Sequence, residues 1–226
     1  MNMSNNFMEG IYGPNPRMHM DNYKEDCNPP VSTVTYDHEN SSTRSKVWYA
    51  GMLTGDRILK AINEGDITIT PFDKSKINPN SYNLTLNPEL LVYSDEILDF
   101  KKKNNTKKLQ IPESGLVLYP NTLYIGRTNE KCGTDKFIPL LNGRSSVGRL
   151  GICIHITAGF GDIGFNGTWT LEITVVKPVR VYPNIEICQV SYLTPYGETS
   201  IQYDGRYQGQ INATASRSNI DKKVYR

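Results

Sequence analysis

Long apolar runs are missing from this sequence. No window approaches 18 consecutive apolar residues, so no membrane-spanning helix is expected. The N-terminus, MNMSNNFMEG, lacks the basic-then-apolar pattern of a signal peptide. Charge of one sign is missing too. The 25 Lys and Arg residues against 23 Asp and Glu leave a net charge of +2, and nothing global points to nucleic acid or a membrane surface. Cysteine is sparse: Cys27, Cys132, Cys153 and Cys188 form no C-x-x-C pair. Free, buried, reduced thiols in a cytoplasmic protein is the simplest account. The three histidines, His19, His38 and His155, have no paired spacing, so no zinc site built by the protein is expected. G-x-x-x-x-G-K-[ST] and a strand-turn-helix G-x-G-x-x-G are absent, which disfavours P-loop and Rossmann nucleotide binding. H-x-E with P-C-x-x-C is absent as well, and with it the zinc chemistry of that signature.

What is present reads as a β-rich globular domain. Of 226 residues, 38% are hydrophobic and 21% charged, an ordinary soluble composition. Residues 1–48 are rich in Asn, Pro, Ser, Tyr and Met without periodicity, and read as an irregular extension. From residue 49 the pattern changes. Residues 54–64 (TGDRILKAINE) predict one short helix, with Thr54 as N-cap, an apolar stripe of Ile58, Leu59 and Ile62, and Gly65 as the stop. About ten short strands follow: 67–69, 82–86, 90–93, 116–119, 123–127, 138–141, 151–157, 168–176, 179–182 and 185–193, punctuated by Pro, Asn and Gly. The fold class is therefore all-β, a compact sandwich or barrel with one short helix. The basic run 101–108 (KKKNNTKK) reads as a solvated loop.

Two strands alternate informatively. In 151–157, Ile152, Ile154 and Ile156 face one way; Cys153, His155 and Thr157 face the other. In 168–175, Trp169, Leu171, Ile173 and Val175 make one face, and Thr168, Thr170, Glu172 and Thr174 the opposite one. Between and before these strands lie two polar segments. Residues 142–149 (NGRSSVGR) offer guanidinium forks, hydroxyls and free backbone N–H groups, a set that suits a polyphosphate. Residues 158–167 (AGFGDIGFNG) hold four glycines around Asp162 and Phe165, so backbone can pass close to a ligand. Each has a plainer reading alone. The first is a polar loop capped by its own serines, the second a long hairpin turn, and Glu172 a solvated strand residue.

Together, and in order, these segments resemble the dCTP deaminase family of the trimeric dUTPase superfamily. Arg144-Ser145-Ser146-x-x-Arg149 matches its RSS-x-x-R, His155-Ile156-Thr157-Ala158 its H-x-T-A, Asp162-x-Gly164-Phe165-x-Gly167 its D-x-G-[FW]-x-G, and Leu171-Glu172 its L-E. Arg206-Tyr207-Gln208-Gly209-Gln210, followed by Ser216-Arg217, is similar to K-Y-Q-x-Q…SR. Pro79-Asn80-Ser81-Tyr82-Asn83-Leu84 is similar to p-x-S-x-d-L. The resemblance covers about residues 51–222.

The resemblance implies a dUTPase-like distorted β-barrel in residues 49–204, a homotrimer, and a tail, 205–226, that closes over the nucleotide. It implies zinc-free hydrolysis of dCTP to dUTP and ammonia, with Glu172 as proton shuttle. Ser145 and the Ala158 carbonyl would hold the water, and Arg149 would orient Glu172. Asp162 would receive the sugar 3′-hydroxyl, and Phe165 would press where a ribose 2′-hydroxyl would clash. Arg144, Ser146, Arg206 and Gln210 would hold the triphosphate with its Mg²⁺, Tyr207 helping to close the tail. The alternatives are a bifunctional enzyme that continues from dUTP to dUMP and pyrophosphate, or a non-catalytic nucleotide-binding regulator. Two positions depart from the family. Gly161 stands where an aliphatic residue is usual, which should loosen the hairpin, and Arg206 replaces a lysine.

Overall fold

A computed structural model describes residues 51–220 of the chain. The expected extension at 1–48, and Cys27 with it, lies outside the described residues. The first element is α1 (Gly55–Asn63). Thr54 caps it, its side chain accepting from the Arg57 N–H at 3.3 Å, and Gly65 ends it in the left-handed region at φ 78. Its inner stripe is narrower than expected. Ile58 and Ala61 are fully buried, Ile62 packs on the core from its edge, and Leu59 is half-buried.

Eleven strands follow. They are β1 (Thr68–Thr70), β2 (Tyr82–Thr85), β3 (Glu89–Tyr93), β4 (Thr106–Gln110), β5 (Leu116–Leu118), β6 (Tyr124–Gly133), β7 (Ile138–Gly143), β8 (Ile152–Cys153), β9 (Asn166–Val175), β10 (Val179–Val181) and β11 (Glu186–Leu193). A one-turn helix, α2 (Ser145–Arg149), lies between β7 and β8. The largest sheet runs β4-β3-β6-β9-β8, with β1 also on β6; β2-β11-β7 form a second sheet, and β10-β5 a ribbon. The main apolar core, with Tyr82, Leu84, Leu141, Leu171, Ile173, Ile187 and Tyr192 at its heart, lies between them, and a small second cluster gathers Leu91, Ile125 and Ala213. The all-β expectation holds. No helix among the described residues is long and apolar enough to cross a membrane.

Four local expectations change. The basic run is half strand: Lys107 and Lys108 lie in β4, an edge whose lysines stay exposed, Lys108 pairing with Glu89 at 3.0 Å. Charged side chains on an edge strand discourage further pairing. The RSS segment is helical rather than a plain turn. Cys132 and Cys188 are buried, burial pushing both thiols up, but Cys153 is exposed. Finally, the strand predicted at 151–157 stops at Cys153. Ile152 and Ile154 are buried as the alternation requires, while Ile156 is 59% exposed. That early stop shapes the site.

Candidate active site

β9 is paired with β6 over its length, with a register shift between Arg127 and Lys131. Its alternation is strict at the centre: Leu171 and Ile173 are fully buried on the core side, which sends Thr170 and Glu172 to the other face. There they line a cavity of about 610 Å³. The Glu172 carboxylate is fixed through the early stop of β8. The Ile154 carbonyl still accepts from the Glu172 N–H (2.9 Å), the backbone then leaves β9, and the Ile156 N–H donates to Glu172 Oε2 at 3.0 Å instead. Ile156 is thus turned from a core residue into a carrier of one backbone donor.

His155 lines the same cavity. Burial pushes its imidazole below the ordinary value, opposed by the Glu172 carboxylate and by a hydrogen bond to Leu141 backbone. Burial favours the neutral ring.

The glycine-rich segment packs along β7. The Leu141 N–H donates to the Gly159 carbonyl (2.8 Å) and the Gly161 N–H to the Pro139 carbonyl (2.9 Å). Gly161 does not loosen this hairpin. A Cβ there would run into the Trp169 ring and lie 2.8 Å from Pro139 Cγ, so its absence permits the close approach. Beyond it, Asp162 and Phe165 line the cavity together with Ala158. Phe165 is 7% exposed. Its ring packs on Trp169 (4.8 Å between centroids) and edge-on against Tyr203 (5.9 Å). Trp169 was expected in the core stripe; it is only partly buried and forms cavity wall.

The tail adds the last wall. Tyr207 and Gln210 line the cavity. Gln210 is already engaged with β9: its Nε2 donates to the Thr168 carbonyl (2.8 Å) and to Thr170 Oγ1 (3.0 Å), and its carbonyl accepts from the Thr168 N–H (2.9 Å). Arg206 lies outside the cavity lining, its Nε donating to the Ile220 carbonyl at 2.6 Å. The Arg217 N–H donates to the Tyr207 hydroxyl (3.0 Å), with its guanidinium 5.9 Å above that ring.

The RSS segment stands apart from this cavity. Ser145, Ser146 and Arg149 are exposed on α2 and absent from the cavity lining, and among the described residues Arg149 has no ion pair. Arg144 is held instead by Glu186, through a 2.7 Å ion pair and a 3.2 Å hydrogen bond to its carbonyl. Glu186 accepts from Asn83 (3.0 Å), Asn83 from Asn78 (2.7 Å), and Asn78 reaches Ser81 (3.2 Å). Ser81 donates to Gln189 (2.8 Å), and Gln189 returns to the Gly143 carbonyl (3.5 Å), next to Arg144. A ring of polar contacts across β2, β11 and β7 therefore closes on the foot of α2.

Of the expected site residues, the cavity gathers Glu172, Ala158, Asp162, Phe165, Tyr207 and Gln210, and leaves Arg144, Ser145, Ser146, Arg149 and Arg206 outside it. Sequence reasoning missed Trp169, Tyr203 and Ile125 as cavity wall and Glu186 as the partner of Arg144. Alternation and motif spacing carry no signal for any of these. Among the described residues no group of three or more His, Cys, Asp or Glu side chains comes together as a metal site would require.

The geometry agrees with what the chain is similar to. The family model described as dCTP deaminase-like matches residues 52–194. A Clostridium beijerinckii protein named "dCTP deaminase, dUMP-forming" is 59% identical over 157 residues, which cover 70% of this chain and 90% of that protein. One of the same name from Hathewaya histolytica is 55% identical over 165 residues, 73% of this chain and 95% of that protein. A solved 2′-deoxycytidine 5′-triphosphate deaminase from Agrobacterium tumefaciens shares the fold, with a TM-score of 0.52 and 18% identity over 65% of this chain and 49% of that one. The expectation that the reaction ends at dUTP is corrected by these relatives, whose names carry dUMP as the product. The chain belongs to the dCTP deaminase-like family of enzymes.

Proposed function

We propose that this enzyme converts dCTP to dUMP, by hydrolytic loss of ammonia from the base and hydrolytic loss of pyrophosphate from the triphosphate. The observation that carries the reading is the Glu172 carboxylate, held by the Ile156 N–H at 3.0 Å in a cavity that also contains Asp162 and Phe165. The relatives named above supply the product. Glu172 takes a proton from water, whose oxygen adds to C4 of cytosine, and N3 gains a proton. The shuttle then protonates the amine, the C4–N4 bond breaks, and ammonia leaves. A second water attacks the α-phosphorus and pyrophosphate departs, leaving dUMP.

The charge on the cavity wall bears on assembly. Its lining includes Glu172 and Asp162 but no Lys or Arg, an unfavourable field for a triphosphate. The exposed Ser145, Ser146 and Arg149 of a second copy are suited to supply the missing donors and charge, and a homotrimer with sites shared between copies follows. Mg²⁺ would enter on the triphosphate rather than on a protein-built site, and the cytoplasm, where dCTP occurs, would be the place of action. Incubation with dCTP and Mg²⁺, with ammonia measured and dUTP separated from dUMP, tests the reading. Equal ammonia and dUMP is the expected result. Accumulated dUTP as the end product, or no ammonia, would overturn it.

A further inference from the structure

In the proposed function Phe165 faces the sugar, and its ring, packed on Trp169 and Tyr203, stands where its backbone puts it. The residue sits between Gly164, at φ 92, and Asn166, the first residue of β9, at the end of a loop whose glycine permits several conformations. The Gly164 N–H donates to the Thr134 carbonyl (2.8 Å) and the Phe165 N–H to the Asp162 carbonyl (3.3 Å), and the tail adds a second set of restraints. The Gln208 carboxamide bridges the two peptide units that flank Phe165. Its Nε2 donates to the Gly164 carbonyl at 2.7 Å, and its Oε1 accepts from the Asn166 N–H at 2.9 Å. The same amide also donates to the Tyr203 carbonyl at 3.0 Å, and Tyr203 is the ring that packs edge-on behind Phe165. A fourth bond, from the Gly209 N–H to Oε1 at 3.2 Å, uses the remaining acceptor site. Both donors meet carbonyls and both acceptor sites meet N–H groups, so the amide fits in one orientation only; flipped, it would set donor against donor and acceptor against acceptor.

We infer that Gln208 is a positioning residue that sets deoxyribose selectivity by clamping the backbone on both sides of Phe165. This rests on the reading that a pyrimidine deoxynucleotide occupies the cavity with its sugar against Phe165. The other tail glutamine in this segment, Gln210, grips β9. It therefore anchors the tail to the sheet, whereas Gln208 anchors it to the sugar loop. The two glutamines divide the work: loss of Gln210 should weaken closure for any nucleotide, and loss of Gln208 should relax the steric test at the sugar. An apolar wall alone rejects an added hydroxyl by only about a hundredfold, and only if the wall cannot retreat. Without the Gln208 bonds, Phe165 keeps the Gly164–Thr134 bond on one side and the start of β9 on the other, and its ring can retreat further.

The test compares Gln208→Leu, which removes all four hydrogen bonds at similar size, and Gln208→Glu, which keeps the acceptors but sets a carboxylate oxygen against two carbonyls. For parent and variants, kcat and KM are measured with dCTP and CTP, and dissociation constants with the same two nucleotides. The expected result is that kcat/KM for dCTP over CTP falls about tenfold in Gln208→Leu, chiefly through a lower KM for CTP relative to dCTP. Gln208→Glu should lose as much at pH 8 and regain part as the introduced carboxyl is protonated. A proportional rise of both KM values, with the ratio unchanged, would overturn the inference, because mere loosening of the tail acts so. A parent without ammonia release from dCTP would instead refute the functional reading, and the clamp would then be judged by the binding ratios alone. An unchanged binding ratio across parent and variants would overturn it there too. Should Gln208→Leu fail to fold, Gln208→Glu carries the same comparison.

Discussion

The cavity wall and the α2 segment carry opposite kinds of polar group, and the chain treats them oppositely. On the cavity side, Glu172 and Asp162 face inward against apolar and aromatic wall, with backbone donors and the tail fixing their surroundings. On the α2 side, Ser145, Ser146 and Arg149 point to solvent, while everything beneath them is tied down by the ring through Glu186, Asn83 and Gln189. One half is a pair of half-buried acids without a cation. The other is an exposed cation and hydroxyl donors on a rigid base. Rigid support under an exposed group indicates that its position is used, since a solvated loop needs none. The difference supports the proposal that the cavity of one copy is completed by α2 of another.

The sharpest way to break that comparison is at Glu172. Its side chain faces away from Leu171 and Ile173, so Glu172→Gln opens no core cavity. We expect it to fold and bind dCTP while losing roughly 10⁴-fold in deamination, the upper end for a general acid–base residue that serves several proton transfers. A Gln variant that releases ammonia near the parent rate would end the mechanism. Arg149→Ala should also be inactive, by about 10²-fold or more. Mixing the two inactive proteins after dissociation should restore activity. With random assembly in a closed ring, about a quarter of the sites pair an intact cavity with an intact α2 from another copy. Recovery is measured as ammonia release. No recovery from a mixture that does exchange subunits would place both residues in the same site of one copy.

How much of this was legible beforehand differs between the two halves for a physical reason. Glu172 could be read because β-strand alternation is a local rule: Leu171 and Ile173 must go inward, so residue 172 cannot. Cap and stop of α1 were legible on the same grounds. The alternation of residues 151–157 runs past the point where β8 ends, and the Ile156 N–H meets the Glu172 side chain rather than a ladder partner, a contact between residues 16 apart that no local pattern shows. Gly161 was misread as slack because a sequence shows a missing side chain but not the Trp169 ring that fills its place. The support of Arg144 by Glu186 joins residues 42 apart in the chain, and no periodicity links them. Local patterns were readable; contacts made by the fold were not.

Gly161 sharpens the comparison from the cavity side. Replacing it with the family's usual aliphatic residue, as Gly161→Ile, forces Trp169 or Pro139 to move. Overpacking of this kind costs roughly 1–3 kcal/mol, and the displaced hairpin carries Asp162 with it. We expect a lower unfolding midpoint in urea and a KM for dCTP raised about tenfold, by the reach of a misplaced positioning group. Parent-like stability and KM together would show that the hairpin accommodates a side chain freely and that the close packing on Trp169 is incidental.

The smallest effect lies between the two halves of the proton chemistry, at His155. Burial lowers its pKa, against the upward pull of the Glu172 carboxylate. Relative to the unfolded chain, with an ordinary value of about 6.5, the folded state binds this proton less readily. The stability that goes with a neutral His155 is therefore fully present above about pH 6.5 and is lost as pH falls through that value toward the lower folded one. His155→Asn should remove this part of the pH dependence, so the parent's lead in urea unfolding, measured from pH 8 to pH 5.5, should shrink as pH falls. Glu172→Gln makes the opposite prediction for the ring itself. With the carboxylate gone, only burial remains as the dominant influence, and the His155 titration followed by NMR should move further down, by less than about one pH unit. A His155 that titrates at or above 6.5 in the parent would show a solvated ring. An upward shift in Glu172→Gln would show that the carboxylate does not stabilise the imidazolium, and that the two side chains do not share the cavity wall in the way the Ile156 contact implies.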